Sequence, residues 1–191
     1  MEWNPLKLAR AFTQSDADAE LIAREVYGGP EWLLQDAGAV SSSTVAWAAQ
    51  RRLPERLADA AAEAAQHWYE HRTMLPHIGD LIRALKQEGY GIYLLSNAGV
   101  QFAKYRHSLP AIECFDGEVV SAFEHVVKPD LGIFQILCER YGLTPDECLF
   151  VDDTEVNVAA AERAGMHGYL HGGDVEALEC YVRSFDGPAG E

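Results

Sequence analysis

Apolar residues recur at helical spacing through the first third of the chain. Leu57, Ala61, Ala64 and Trp68 step three or four positions apart along an Ala-rich stretch, residues 56–72. That period puts them on one face of a helix. Residues 6–70 as a whole read as helical. Gly28-Gly29-Pro30 breaks an earlier helix, because Gly is permissive and Pro cannot donate to the turn before it. Ser41-Ser42-Ser43-Thr44 predicts a loop that caps the next helix with side-chain oxygens. No strand pattern stands out in this region.

After Pro76 the pattern changes. Ile78, Leu81, Ile82 and Leu85 form an amphipathic helix stripe that stops near Gly89. Residues 90–95, Tyr-Gly-Ile-Tyr-Leu-Leu, are a short apolar run of buried-strand type. A helix is expected over 101–105, a short strand over 118–121 and a helix over 130–141, with Ile133, Ile136, Leu137 and Tyr141 on one side. Residues 148–151 read as a strand, 155–164 as a helix ending at Gly165, and 167–170 as a further strand. Val175, Leu178 and Val182 stripe a last helix. Strands alternating with helices predict an α/β fold with a parallel sheet covered on both faces. In such sheets ligands gather at the carboxyl ends of the strands. The expected organisation is a mostly helical region over 1–75, an α/β unit over 76–186 and a flexible tail over 187–191.

The length, 191 residues, suits one compact domain with a small insertion or cap. Thirty acidic and 15 basic residues give a formal charge of -15. Nucleic-acid binding depends on clustered cations, and no Lys/Arg cluster is present, so that partner class is not expected. Cys114, Cys138, Cys148 and Cys180 form no CxxC pair. They read as reduced thiols packed as small hydrophobes in a cytoplasmic protein. No apolar stretch reaches membrane-spanning length, so no membrane partner is expected. A monomer or weak homodimer is expected.

Three short motifs carry candidate chemistry, and each sits at a predicted strand end or in the loop after it. Leu94-Leu95-Ser96-Asn97 offers a hydroxyl and loop N–H groups that suit a phosphate, although Ser and Asn equally favour ordinary turns and caps. Val127-Lys128-Pro129 offers a cation against phosphate charge, with Pro129 suited to the first turn of the following helix. A solvated Lys before a helix is the plainer reading. Leu149-Phe150-Val151-Asp152-Asp153 offers two adjacent carboxylates beyond a strand. Mg²⁺ would resolve their repulsion, whereas one Asp as a helix cap and one in water would need no metal. Asn157, four residues on, either orients a ligand or faces the loop.

Taken in order, these motifs resemble the haloacid dehalogenase superfamily, and its phosphatase branch in particular. The phrases LLSNA, KPDLGIF and LFVDDTEVNVAAAERAGM are similar to phosphatases of the α-D-glucose-1-phosphate type and to the phosphatase domain of soluble epoxide hydrolases. The likeness runs from about Pro76 to Leu170. Residues 6–70 resemble the family's helical cap more loosely. It implies a Rossmann-like core with an inserted helical cap of the C1 type. It also implies Mg²⁺ as cofactor and a small phosphorylated metabolite as substrate. An Asp nucleophile would form an aspartyl-phosphate, and a second Asp two residues on would protonate the leaving alcohol. Ser96 and Asn97 would hold phosphate oxygens, Lys128 would balance their charge, and Asp152 and Asp153 would bind Mg²⁺ directly or through water.

One part of that pattern is missing. Family members carry an apolar strand ending in Asp-x-Asp, a few residues before a stretch like Trp3-Asn4-Pro5, where this sequence has Met1-Glu2. Asp16-Ala17-Asp18 has the spacing, but Ser15 before it reads as a helix cap and the acids as a first turn. The first core strand is therefore expected to be absent, from truncation or a start placed too far downstream. Its loss would leave two neighbouring strands with unpaired backbone groups. This exact chain is expected not to turn over phosphomonoesters. A haloacid dehalogenase shares the fold without a metal, and a non-catalytic phosphate- or partner-binding pseudo-enzyme is the other alternative. A response-regulator receiver has its acidic pair first in the chain, which the order here opposes. His67 and His71 stand four apart on a helix but lack a third metal ligand. Trp32, Trp47 and Trp68 are expected in the core rather than lining a pocket.

Overall fold

The computed structural model describes residues 3–185. Met1-Glu2 and the tail 187–191 lie outside the described residues. Helix α1 (Pro5–Arg10) opens with Asn4 accepting from the Lys7 N–H at 2.9 Å and Pro5 in its first turn. Both devices satisfy or remove N–H groups that a helix start leaves without partners. Helix α2 (Asp16–Ile22) is capped by Ser15, whose Oγ accepts from the Asp18 N–H. Asp16 and Asp18 thus sit in a helical first turn, paired with Arg10 and Arg56 on the surface. Helix α2 runs into a π-helical turn, Ala23–Tyr27, which ends at Gly28. Helix α3 (Pro30–Asp36) starts afresh with Pro30 in the first turn. Helix α4 (Ser42–Gln50) is capped by Ser41 alone. The expected Ser/Thr loop is therefore shorter than it looked, and Ser42–Thr44 form the first turn instead. Helix α5 (Ala58–His67) continues into a 3-10 turn, Trp68–His71.

Helix α6 (Ile78–Gln87) leads to strand β1 (Tyr93–Ser96). The strand begins later than the apolar run suggested: residues 90–92 lie in neither helix nor strand, and the Ile92 N–H is taken by Asp116 Oδ2 at 2.8 Å. Short helix α7 (Phe102–Tyr105) follows, then strand β2 (Gly117–Val120), helix α8 (Ser121–Glu124) and helix α9 (Leu131–Tyr141). Asp130 caps α9 through the Gly132 N–H. Pro129 therefore stands before the cap, not in the first turn as expected. Strand β3 (Leu149–Asp152), helix α10 (Glu155–Arg163), strand β4 (His167–Leu170) and helix α11 (Val175–Ser184) complete the order.

The strands pair in parallel as β1–β2 and β3–β4, in register Ser96↔Val120 and Asp152↔Leu170 at their carboxyl ends. Among the described residues no ladder joins β1 to β3. One apolar core mixes the helical segment with the strand region: Ile22, Val26, Trp32 and Trp68 pack in the same cluster as Ala98, Phe102, Tyr105 and Val120. A second core packs Ile133 and Phe134 of α9 against Val119 and Phe150. Two packing expectations fail. Trp47 is 59% exposed, with the Arg51 guanidinium over its ring, and Cys180 is exposed on α11. Among the described residues, no second element covers either helix face. Trp32 and Trp68 are buried as expected.

Candidate active site

Lys128 and Asp152 form a buried ion pair between the ends of β1 and β3. Nζ of Lys128 lies 2.6 Å from Oδ2 of Asp152, and the two side chains are only 7% and 9% exposed. Removing both charges from water is costly, so such a pair persists only where its remaining hydrogen-bonding groups are satisfied. They are satisfied here. Lys128 Nζ also donates to the Leu95 carbonyl at 3.0 Å. Oδ1 of Asp152 accepts from the Thr154 N–H at 2.9 Å and from Asn157 Nδ2 at 3.0 Å. The Phe150 ring lies 5.2 Å below the ammonium.

Asn97 fixes the backbone of that lysine. Its Oδ1 accepts from the Lys128 N–H at 2.8 Å, and its Nδ2 donates to the Lys128 carbonyl at 2.9 Å. Ser96, the last residue of β1, follows directly on the carbonyl that Lys128 holds. Among the described residues its Oγ approaches only the Asn97 carbonyl, at 3.4 Å. The hydroxyl thus keeps donor and acceptor capacity that Asn97 has spent. Asp153 is exposed, and Thr154 Oγ1 reaches its Oδ1 at 3.3 Å.

The three motifs thus meet at adjoining strand ends. Asn157 turns inward, buried, and orients Asp152. Asp152 and Asp153 differ in kind: the side chain of one is buried, with Oδ1 taken by two donors and Oδ2, among the described residues, by Lys128 alone, while the other faces water. A hard cation such as Mg²⁺ uses one or two carboxylates and completes its shell with water and substrate oxygens. The donor set matches that pattern in number and chemistry. Among the described residues no cluster of three or more His, Cys, Asp or Glu side chains adds to it. His67 pairs with Glu70 at 3.0 Å, and His71 packs its ring edge-to-face on Phe12.

Residues 5–165 match the family model of haloacid dehalogenase-like hydrolases. The chain belongs to that family. A sesquiterpene phosphatase of Aspergillus oryzae is 36% identical over 92 residues, which are 48% of this chain and 46% of that protein. A phosphoglycolate phosphatase of Aliivibrio fischeri is 28% identical over 129 residues, 62% of this chain and 57% of that one. The chain therefore spans about half the length of the curated relatives it matches. A haloacid dehalogenase family enzyme of Bacteroides thetaiotaomicron, solved with magnesium and inorganic phosphate, has a TM-score of 0.62 at 23% identity. The likeness covers 83% of this chain and 88% of that one, and it establishes the fold.

Sequence reasoning missed several residues that surround these strand ends. Ser121 is fully buried; its Oγ accepts from the Ala98 N–H at 3.0 Å and donates to the Asp36 carbonyl at 2.5 Å. The Asp36 carboxyl is pushed up to about 7 by burial, with a lesser opposing effect from the Gly99 N–H. Burial holds the His171 imidazole below its usual value, and its backbone N–H extends the β3–β4 ladder to the Asp152 carbonyl. None carried a motif or a period.

Proposed function

We propose that this hydrolase is built for Mg²⁺-dependent phosphoryl transfer from a small phosphomonoester. Ser96 Oγ and the Asn97 N–H hold phosphate oxygens, and Lys128 balances their charge. Asp152 and Asp153 hold Mg²⁺, which, when bound, stabilises negative charge on the transferring group. The observation that carries this reading is the buried Lys128–Asp152 pair, set beside an uncommitted Ser96 hydroxyl at two adjoining strand ends. An ordered cation and a hydroxyl donor at adjoining strand ends suit an anion whose charge is shared by several oxygens. The acidic pair favours a phosphatase over a metal-free dehalogenase.

In relatives that carry a strand ending in Asp-x-Asp, the resemblance implies that a carboxylate oxygen attacks phosphorus. The alcohol leaves with a proton from the second Asp, and water then cleaves the aspartyl-phosphate. In this sequence Asp16-Ala17-Asp18 is the one match to that spacing, and its acids are committed to Arg10 and Arg56 in a helix. We therefore propose that residues 1–191 alone bind phosphate without turning a phosphomonoester over. Calorimetry should show phosphate binding that depends on MgCl2 and is lost in Lys128→Ala. Mg²⁺-dependent release of p-nitrophenol from p-nitrophenyl phosphate by the pure protein would overturn the claim of no turnover. Turnover of a 2-halo acid that survives EDTA would turn the reading toward the dehalogenase.

A further inference from the structure

The loop over 97–101 is held by three segments far from it in sequence. Asn97 binds both sides of the Lys128 peptide. Ala98 is held through Ser121, which reaches the Asp36 carbonyl at the end of α3. Gly99 lets α3 come close: a Cβ there would meet Gln35 Cγ at 2.9 Å. The third hold is Gln101, which is 5% exposed. Its Nε2 donates to the carbonyls of Ala65 at 3.3 Å and Gln66 at 3.0 Å, and its Oε1 accepts from Trp68 Nε1 at 3.4 Å.

The end of α5 explains why these bonds matter. The last four carbonyls of a helix have no partner within it. In α5 the Ala64 carbonyl is taken by Tyr27 Oη at 3.3 Å, and the next two are taken by Gln101. Both amide hydrogens and the carbonyl oxygen of one side chain are thus committed to the helical segment. A buried polar group used so fully fixes geometry as well as stability, because losing it strands several partners at once. Gln101 also closes the short loop that begins at Ser96-Asn97.

We propose that Gln101 is a positioning residue: it sets the Ser96–Asn97 loop against the end of α5, so that phosphate binding at Lys128 is felt at Trp68. The inference rests on the phosphate-site reading above. The physical cause is preorganisation. A loop held at both ends loses less freedom when an anion orders it.

The test uses the full chain, inorganic phosphate with MgCl2, and two NMR resonances: the Asn97 backbone amide and the Trp68 indole Nε1–H. In the wild type, phosphate should shift both along one binding curve, although Trp68 touches no phosphate ligand. In Gln101→Met the Asn97 shift should need about tenfold more phosphate, the loss expected from removing one or two buried hydrogen bonds. The Trp68 shift should vanish in that variant. An Asn97 shift without a Trp68 shift in the wild type overturns the inference alone. So does an unchanged affinity in Gln101→Met. Silence of both resonances overturns the phosphate-site reading and this inference with it. Should Gln101→Met fail to fold, Trp68→Phe decides the matter, since it spares the caps on α5. It should weaken phosphate binding about threefold, and wild-type affinity there overturns the inference.

Discussion

The helical segment and the strand ends are both buried, but by opposite means. In the first, Ile22, Val26, Val45, Ala61 and Ala64 are sealed by one another and by the rings of Trp32 and Trp68. Attraction there is non-directional and scales with the apolar area removed from water. At the strand ends a positive and a negative charge are sealed against each other, and three hydrogen bonds to neighbouring groups keep them there. The helical region needs the right volume and period. The strand ends need particular atoms at particular distances. A family can vary the first widely and the second hardly at all without changing what the site can hold.

The largest expected effect breaks the second region without touching the first. Asp152→Ala leaves Lys128 buried without its counter-charge and should cost about 3–5 kcal/mol in urea denaturation. Replacing both partners together, as Lys128→Met with Asp152→Leu, should recover most of that loss, because no unpaired charge remains. The same double variant should bind no phosphate. If Asp152→Ala costs under about 1 kcal/mol, the pair behaves as a solvated surface pair and the contrast between the regions collapses.

Asp36 sharpens the contrast from the other side. It ends α3, lies largely buried beside Tyr105, and among the described residues has no ion-pair partner comparable to Lys128. Its folded-state pKa, about 7, lies above the ordinary carboxyl value of 3.8. The folded protein therefore holds this proton more tightly than the unfolded chain does. The stability it contributes is complete below about pH 4 and is lost as pH rises through 7. At about 1.36 kcal/mol per pH unit the loss is at most about 4 kcal/mol. Asp36→Asn should cancel it, so the variant gains on the wild type between pH 5 and pH 8 in urea denaturation. A difference that stays constant with pH would show that the carboxyl is hydrated and ionised throughout.

Much of this was legible in the sequence where a period carried it. Leu57, Ala61, Ala64 and Trp68 announced α5, and the capping role of Ser15 showed that Asp16 and Asp18 belong to a helix start. The three motifs were legible because their order, not any one of them, is distinctive. What could not be read depends on contacts across long stretches of chain. Lys128 and Asp152 looked like separate phosphate and metal ligands, yet they bind each other across 24 positions. Gln101 looked like an ordinary polar residue at the start of a short helix, and its partners lie 33 to 36 positions away. Trp47 has the composition of a core residue and lacks only a neighbour to cover it. Local pattern gives a residue's face on its element, while the packing of other elements decides what that face meets.

The smallest expected effect isolates burial from pairing. Arg183 on α11 contacts Glu88 at 2.9 Å and Glu179 at 2.9 Å, distances close to that of the Lys128–Asp152 pair. Its side chain is 42% exposed, however, and water and salt screen both contacts. Holding three long side chains in one arrangement also opposes the gain. Arg183→Ala should therefore cost little in stability at low ionic strength, part of it from the extra negative charge left on a chain already at -15. In 1 M NaCl, where the screening length falls to about 3 Å, the difference from wild type should disappear. The penalty of Asp152→Ala should persist in the same salt, because ions do not reach a pair enclosed by Phe150, Asn157 and the Leu95 carbonyl. Two substitutions that each remove one partner from an ion pair would then differ severalfold in cost, one sensitive to salt and the other not, for no reason other than access to water.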